Sequence, residues 1–402
     1  MIPRKRLDIG WTDLLYGIKH CLWPQSRKAV ETRLEQLWSD KDASLVCLSV
    51  RSGFDALLHT LNFPAGTEIL VSAVTIRGMI RVIEAHGLVP IPIDLDFTRL
   101  AVRPESMAKG VTTRTRAILV AHLFGSRMPM EPILRFAQAH SLVVMEDCAQ
   151  AYVGDRYHGH PQSDISLFSF GPIKTATALA GGFLCFRDPS LRNAVRRYQD
   201  QWPISNRLLF LVRICKYAVL VLLSYRVTYS IFIAVCRLLN ANHDQIIASS
   251  VRGFPGDRFF AKIRQRPSSA VLALLERRLR RFDQAKIAER KALAERAIAL
   301  MPSLRRPGDR ACEHTYWVFP ILHEHPEQLM AYVWEQGFDA TQGGSSLYVI
   351  PPPAARPEMR AVEAEQVFEQ LLYLPIYVGV SVHDLEKLAK VCLSNPICPV
   401  AG

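Results

Sequence analysis

The chain lacks most of the marks that would assign it to a specialised class. Its nine cysteines, an odd number, form no Cys-x-x-Cys pair and no metal-ligand spacing. A reduced compartment fits that usage better than a disulfide framework, and no metal site is expected. The first ten residues are basic but hold no apolar h-region, so no cleaved secretory signal is expected. No Gly-x-Gly-x-x-Gly follows the first strand-like run, which argues against a dinucleotide-binding dehydrogenase. Internal repeats are absent. What remains is a globular composition, 49% apolar and 21% charged over 402 residues, enough for two domains with a sizeable core.

The net charge of +12 is unevenly placed. Between Trp202 and Arg266 ten Lys/Arg stand against Asp244 and Asp257. That segment is also the most apolar one, which points to an anionic membrane surface rather than to nucleic acid.

Short apolar runs alternate with helical patterns over the first 190 residues. Strands are expected at Leu45–Ser49, Glu68–Ser72, Val89–Asp94, Ala117–Ala121, Leu142–Glu146 and Ile165–Phe170. Helices are expected at Phe54–Leu61, Gly78–His86 and Met130–His140. This alternation predicts an α/β fold with a mainly parallel sheet, whose ligands gather at the carboxyl ends of the strands. Further on, Ser268–Met301 reads as one long connecting helix. A smaller α+β domain follows, with a strand at Thr315–Leu322, a helix at Pro326–Gln336, a Pro-rich break at Pro351–Pro353 and a terminal helix at Val382–Cys392. The domains expected are 1–200, a basic apolar helical insertion at 201–266, the connector at 267–301 and a small C-terminal domain at 302–402.

Two strand ends carry chemistry. Val143-Val144-Met145-Glu146-Asp147 delivers a carboxylate, and Ser169-Phe170-Gly171-Pro172-Ile173-Lys174 delivers a lysine 27 residues later. A pyridoxal 5'-phosphate (PLP) site needs this pair, a lysine for the aldehyde and an acid to keep the pyridine nitrogen protonated. Each residue alone is commonplace, since acids cap helices and most lysines are solvated. The order of the pair, with Gln150 one turn beyond Asp147 and Ser169 ahead of Lys174, is more specific.

With these residues the sequence resembles the DegT/StrS family of PLP-dependent sugar aminotransferases, which have transferase fold type I. The resemblance lies in Glu146 to Gln150, Ser169 to Lys174, Ser52-Gly53-Phe54-Asp55-Ala56-Leu57, His122-Leu123-Phe124-Gly125, Ile93-Asp94-Leu95-Asp96 and Leu374-Pro375-Ile376-Tyr377. It implies that Lys174 is the Schiff-base lysine and proton shuttle, and that Asp147 pairs with the pyridinium nitrogen. It implies that Gln150 lies against the ring, with Ser169 and the amides of Gly53 and Phe54 on the phosphate. It further implies a homodimer that moves an amino group, from glutamate, to a keto group on a nucleotide- or carrier-linked sugar. His122 reads as a structural residue.

Departures from the family pattern are as informative. Phe54 stands where Thr or Ser is usual, Ile76 where an aromatic ring stacks, and Thr175 where Asn often follows the lysine. Thr341-Gln342-Gly343-Gly344-Ser345-Ser346 replaces a His-rich substrate loop. Two alternatives stay open: an inactive membrane-associated scaffold, supported by Phe54 and Ile76, and a PLP-dependent dehydratase, which Lys174 argues against because the resemblance implies His there.

Within the insertion, Tyr217–Val235 is 19 residues with one charge, Arg226. A single span would carry that arginine at a cost of about 2.5–3.5 kcal/mol. It would also place on opposite sides of a membrane the halves that the fold must pack together. The expectation is therefore a helical hairpin or interfacial helices on the inner face of the cell membrane, with Arg207, Arg213, Lys216, Arg226 and Arg237 snorkelling to headgroups. Phe254, Phe259 and Phe260, interleaved with Arg252, Arg258, Lys262, Arg264 and Arg266, extend the pattern across 207–266. A buried subdomain or dimer contact is the bland alternative. The expected location is cytoplasmic and peripheral or monotopic.

Overall fold

The computed structural model describes residues 1–39, 43–155, 157–250, 258–343 and 346–394. Phe254, Arg252, Gly344 and Ser345 lie outside them.

Seven strands form the central sheet: β1 (Ser44–Cys47), β2 (Glu68–Ser72), β3 (Val89–Ile93), β4 (Thr115–Ala121), β5 (Val143–Asp147), β6 (Ile165–Ser169) and β7 (Gly182–Phe186). Their order is β1-β7-β6-β5-β4-β2-β3, parallel throughout except for β7, which runs antiparallel to both neighbours. The strands are apolar because helices cover both faces of a parallel sheet; Ile69, Leu70, Ile118, Val120, Met145 and Leu167 are all fully buried. The register pairs Ala121 with Asp147 and Leu167 with Asp147. It thus fixes where the strands end and where their loops open.

Two helices escaped the sequence reading, α1 (Trp11–Leu22) and α2 (Arg27–Trp38). Both are held by ion pairs that periodicity cannot show. Asp13 of α1 binds Arg277 at 2.7 Å and Arg278 at 2.6 Å, and Glu35 of α2 takes Arg192 and Arg196 at 3.2 and 2.5 Å. Trp38 stacks flat on Phe183, centroids 4.4 Å apart. The next helix, α3 (Val50–Leu61), is capped by Ser49, whose side chain accepts from the Ser52 amide.

The insertion is helical: α4 (Arg207–Leu223), α5 (Arg226–Leu238) and α6 (His243–Ser250). The axes of α4 and α5 meet at 95°, and no single helix among the described residues is long and apolar enough to cross a membrane. One face of the pair is buried through Phe210, Ile214, Tyr217, Val221, Tyr229, Ile233 and Cys236. Asp339 ties it to the small domain, accepting from Tyr229, from His243 at 3.4 Å and from Arg4 at 2.6 Å. Arg213 does not snorkel: it points inward and donates to the Leu179 carbonyl at 3.3 Å. Arg226 is spent on Asp384 at 3.3 Å.

The expected single connector is two helices, α7 (Ser269–Arg280) and α8 (Ala285–Leu300). Between them Asp283 accepts from the Ala285 amide at 3.0 Å, a side-chain bond across two residues that favours a turn over a continued helix. Phe282 at the break lies over Gly154, where a Cβ would sit 2.0 Å from its ring. In the small domain β8 (Phe319–Leu322) pairs with β9 (Leu371–Leu374). The strand expected from Thr315 begins only at Phe319, because Tyr316 takes a positive φ of 49° and turns Trp317 toward the large domain. The terminal helix α9 spans Val382–Leu393.

Candidate active site

The site opens at the ends of β5 and β6. Asp147 closes β5, buried, and its Oδ1 accepts from the Ala149 amide at 2.9 Å. Among the described residues no side chain donates to this carboxylate. Burial pushes its pKa up, against the Ala149 bond and the nearby Lys174 and His122 charges. Such a carboxylate lacks a cationic hydrogen-bond donor, and a protonated pyridine nitrogen is a donor of that kind.

Lys174 lies on the loop after β6, where its amide closes a turn onto the Gly171 carbonyl at 3.0 Å. Burial lowers its pKa to about 8; Asp147 opposes that shift and Arg51 adds to it. A desolvated lysine near neutrality has the free amine that carbonyl chemistry requires. Its Nζ stands 4.5 Å from the centre of the Trp317 ring, while the indole N–H donates to Ile173 O at 3.2 Å. Ser169 ends β6, half-buried, and among the described residues its Oγ has only a long 3.5 Å contact from the Gly171 amide. The donor set fits PLP at its aldehyde and its ring nitrogen.

Gly53 and Phe54 do not serve as expected. The α3 helix begins at Val50, so the Gly53 amide already bonds Ser49 O at 3.1 Å and the Phe54 amide lies one residue deeper in the helical ladder. Gly53 is required for packing, since a Cβ there would meet Leu184 Cδ1 at 2.1 Å, and Phe54 is fully buried core. The first turn of the helix, from Val50, lies one turn earlier. Gln150 is buried nearby, but its Oε1 is taken by the Phe124 amide at 2.8 Å, which props the turn at Phe124 and Gly125, both at positive φ. His122 is structural: Nε2 meets Glu146 at 2.8 Å and Nδ1 accepts from the Met128 amide at 3.1 Å.

A cavity of 320 Å³ reaches Lys174, with Lys5, Arg6, Asp8, Lys286, Arg290, Trp317 and Tyr377 among its lining. Asp147, Gln150 and Ser169 lie outside that lining. Two contributors escaped the sequence reading. Lys5 of the basic N-terminal segment donates to Ile173 O at 3.2 Å; burial, then Lys174 and Arg290, press its pKa well down. Trp317 was hidden in an expected strand. The bond from the Ala176 amide to Asp8 at 2.6 Å shows how residues 1–9 cross to the lysine loop, a pairing no local pattern announces.

Residues 25–202 match the model of the DegT/DnrJ/EryC1/StrS aminotransferase family. The GDP-perosamine synthase of Escherichia coli O157:H7 is 29% identical over 193 residues, 46% of this chain and 53% of that protein. The chain thus spans about half the length of the curated relatives it matches. Among solved structures, the aminotransferase TlmJ of Streptoalloteichus hindustanus aligns over 97% of both chains, with TM-score 0.70 and 18% identity. NtdA of Bacillus subtilis with bound cofactor PMP aligns over 95% of this chain and 81% of its own, with TM-score 0.67 and 17% identity. At those identities the likeness is one of fold alone.

Proposed function

From the premise that residues 25–202 belong to the DegT/DnrJ/EryC1/StrS aminotransferase family, we propose that this chain is a PLP-dependent aminotransferase. It moves an amino group, from glutamate, to the keto carbon of a sugar. The observation that carries this reading is the desolvated Lys174 near the Asp147 carboxylate, which accepts from the Ala149 amide and from no side chain among the described residues. PLP, when bound, supplies an electron sink for the carbon that loses its proton. Lys174 would hold the aldehyde carbon and then, as a free amine, carry the proton between donor and cofactor. Asp147 would keep the ring nitrogen protonated. The Val50 amide, rather than those of Gly53 and Phe54, would meet the phosphate, with Ser169 beside it. The dehydratase reading lacks its histidine, and the scaffold reading has no use for a lysine kept near neutrality.

The test is spectroscopic and chemical. Purified chain given PLP should develop a visible band, bleach it with glutamate and release 2-oxoglutarate stoichiometrically. A band that forms but is unchanged by glutamate would exclude glutamate as donor, and no band at all would exclude the transaminase.

The same reading includes a homodimer and contact with an anionic membrane surface. The membrane contact is supported by the outer face of α4 and α5, where Leu209, Val212, Val227, Ile231, Leu238 and Leu239 are exposed beside the exposed Lys216 and Arg237. An apolar stripe flanked by cations suits such a surface. Leu209→Glu with Ile231→Glu should abolish co-flotation with vesicles containing phosphatidylglycerol. Unchanged flotation would remove membrane contact from the proposal.

A further inference from the structure

Behind the insertion lies a second cavity, of 190 Å³. It shares six wall residues with the Lys174 cavity: Lys5, Leu7, Ile173, Ser224, Trp317 and Tyr377. The two are adjoining compartments across a common wall, and their chemistry is opposite. The Lys174 compartment is lined by basic groups, Lys5, Arg6, Lys174, Lys286 and Arg290, against Asp8 alone. Within it Arg290 spends Nε on Thr315 O at 2.6 Å and Nη1 on Thr175 Oγ1 at 3.4 Å. Its Nη2 is buried with no partner among the described residues. A buried guanidinium N–H without an acceptor carries a full desolvation penalty unless an anion meets it. The second compartment is mainly apolar, with Arg4, Tyr229 and Thr341 among its few polar wall residues. Leu220 and Leu223 come from α4, Phe232 from α5, Ile246 and Ile247 from α6, and Phe319 and Ile376 from the small domain.

A nucleotide would suit this arrangement poorly: in the second wall Arg4 and Tyr229 are engaged by Asp339 and Thr341 by Asp244, and Leu220, Phe232 and Ile247 offer a base and ribose no hydrogen-bond partner. A molecule that satisfies both compartments is apolar at one end, anionic in the middle and a sugar at the other. We propose that the amino acceptor is an amphiphile, a keto-sugar joined through a phosphate or diphosphate to an apolar chain. The chain occupies the compartment built by α4, α5 and α6, and the phosphate meets Arg290 Nη2 and Lys5. The keto carbon is thereby delivered to Lys174. The inference rests on the aminotransferase reading for the sugar end alone; the tail compartment stands on its own geometry. It also gives the insertion a catalytic reason to exist, since the helices that wall the tail site carry the exposed apolar face on their other side.

The test is equilibrium binding by the full chain, with farnesyl diphosphate, inorganic diphosphate and farnesol as probes, each below its aggregation threshold. Farnesyl diphosphate should bind at least tenfold tighter than either of the others. Phe232→Asp should weaken farnesyl diphosphate at least tenfold and leave inorganic diphosphate unchanged. Ile247→Asp, on a separate helix, should do the same if the first variant unfolds. Arg290→Gln should weaken both diphosphates and spare farnesol. Equal binding of farnesyl and inorganic diphosphate, or full binding by both folded tail-site variants, would overturn the proposal. Tight farnesyl diphosphate binding by a chain that takes up no PLP would support the tail site while sinking the transaminase reading, so the two failures are distinguishable.

Discussion

Lys5 and Lys174 hold their amino groups against one indole: their Nζ atoms lie 4.0 and 4.5 Å from the centre of the Trp317 ring. Residue 5 and residue 174 are brought together by tertiary structure alone. A π-face stabilises a cation, while burial favours the neutral amine, helped by Lys174 and Arg290 at Lys5 and by Arg51 at Lys174, and for both lysines the second effect wins. Trp317→Leu should therefore leave the fold intact and disturb Lys174, seen as a changed pH midpoint for its reaction with PLP.

That midpoint follows from the lowered pKa. A lysine usually titrates near 10.5, and Lys174 does so at about 8. The amine is free above that value, so PLP uptake should accelerate as pH rises through about 8 and then level off. Arg51 contributes to the depression, so Arg51→Gln should move the midpoint upward. The folded chain binds fewer protons than the unfolded one between about 8 and 10.5, so this lysine's contribution to stability rises with pH across that window. Comparing the pH dependence of unfolding with that of Lys174→Met isolates the term; identical profiles would contradict the assignment.

Glu146 is the buried hub behind the site. It accepts from Tyr157, from His122 at 2.8 Å, from the His160 amide at 2.8 Å and from Ser163 at 2.9 Å. Although burial opposes the charge, His122 first, then Tyr157 and the His160 amide, hold the carboxyl far below its ordinary range. Glu146→Gln leaves donors facing donors and should cost about 3 kcal/mol or more in denaturant unfolding. The native contribution is complete above the usual carboxylate pKa of 4.5 and fades only as pH falls below it, so the deficit of the variant should shrink in acid.

Gly53 separates packing from cofactor binding. Gly53→Ala places a methyl 2.1 Å from Leu184 Cδ1 and 2.9 Å from Cys47 Sγ, an overpacked contact worth about 1–3 kcal/mol of destabilisation. Because its amide is spent inside α3, the affinity of the folded variant for PLP should match the parent. A stable variant with weakened PLP binding would restore the phosphate role.

What the sequence made legible follows from which interactions are local. The strands from Glu68 to Asp147 could be read because both faces of a parallel sheet are apolar, so each strand is a plain hydrophobic run. Asp147 and Lys174 could be placed because each is fixed at the end of such a run. The helix holding Gly53 was read four residues short, since Ser49 caps it through a side-chain bond that a hydrophobic pattern does not display. Lys5, Asp8, Arg290 and Trp317 converge on the lysine from distant stretches, and only the folded chain joins them. The insertion was legible as apolar and basic, but not its inward arginine or its anchor at Asp339. Both depend on partners more than thirty residues away.

The central claim is that Lys174 is the residue that takes up PLP. Purified chain should be incubated with PLP at pH 8, reduced with borohydride, digested and mapped by mass spectrometry, alongside Lys174→Ala. One reduced adduct on Lys174, absent from the variant and accompanied by a loss of amine transfer of about 10²–10⁴-fold, is the predicted result. An adduct on Lys5 in the unaltered chain, or none, would contradict the account.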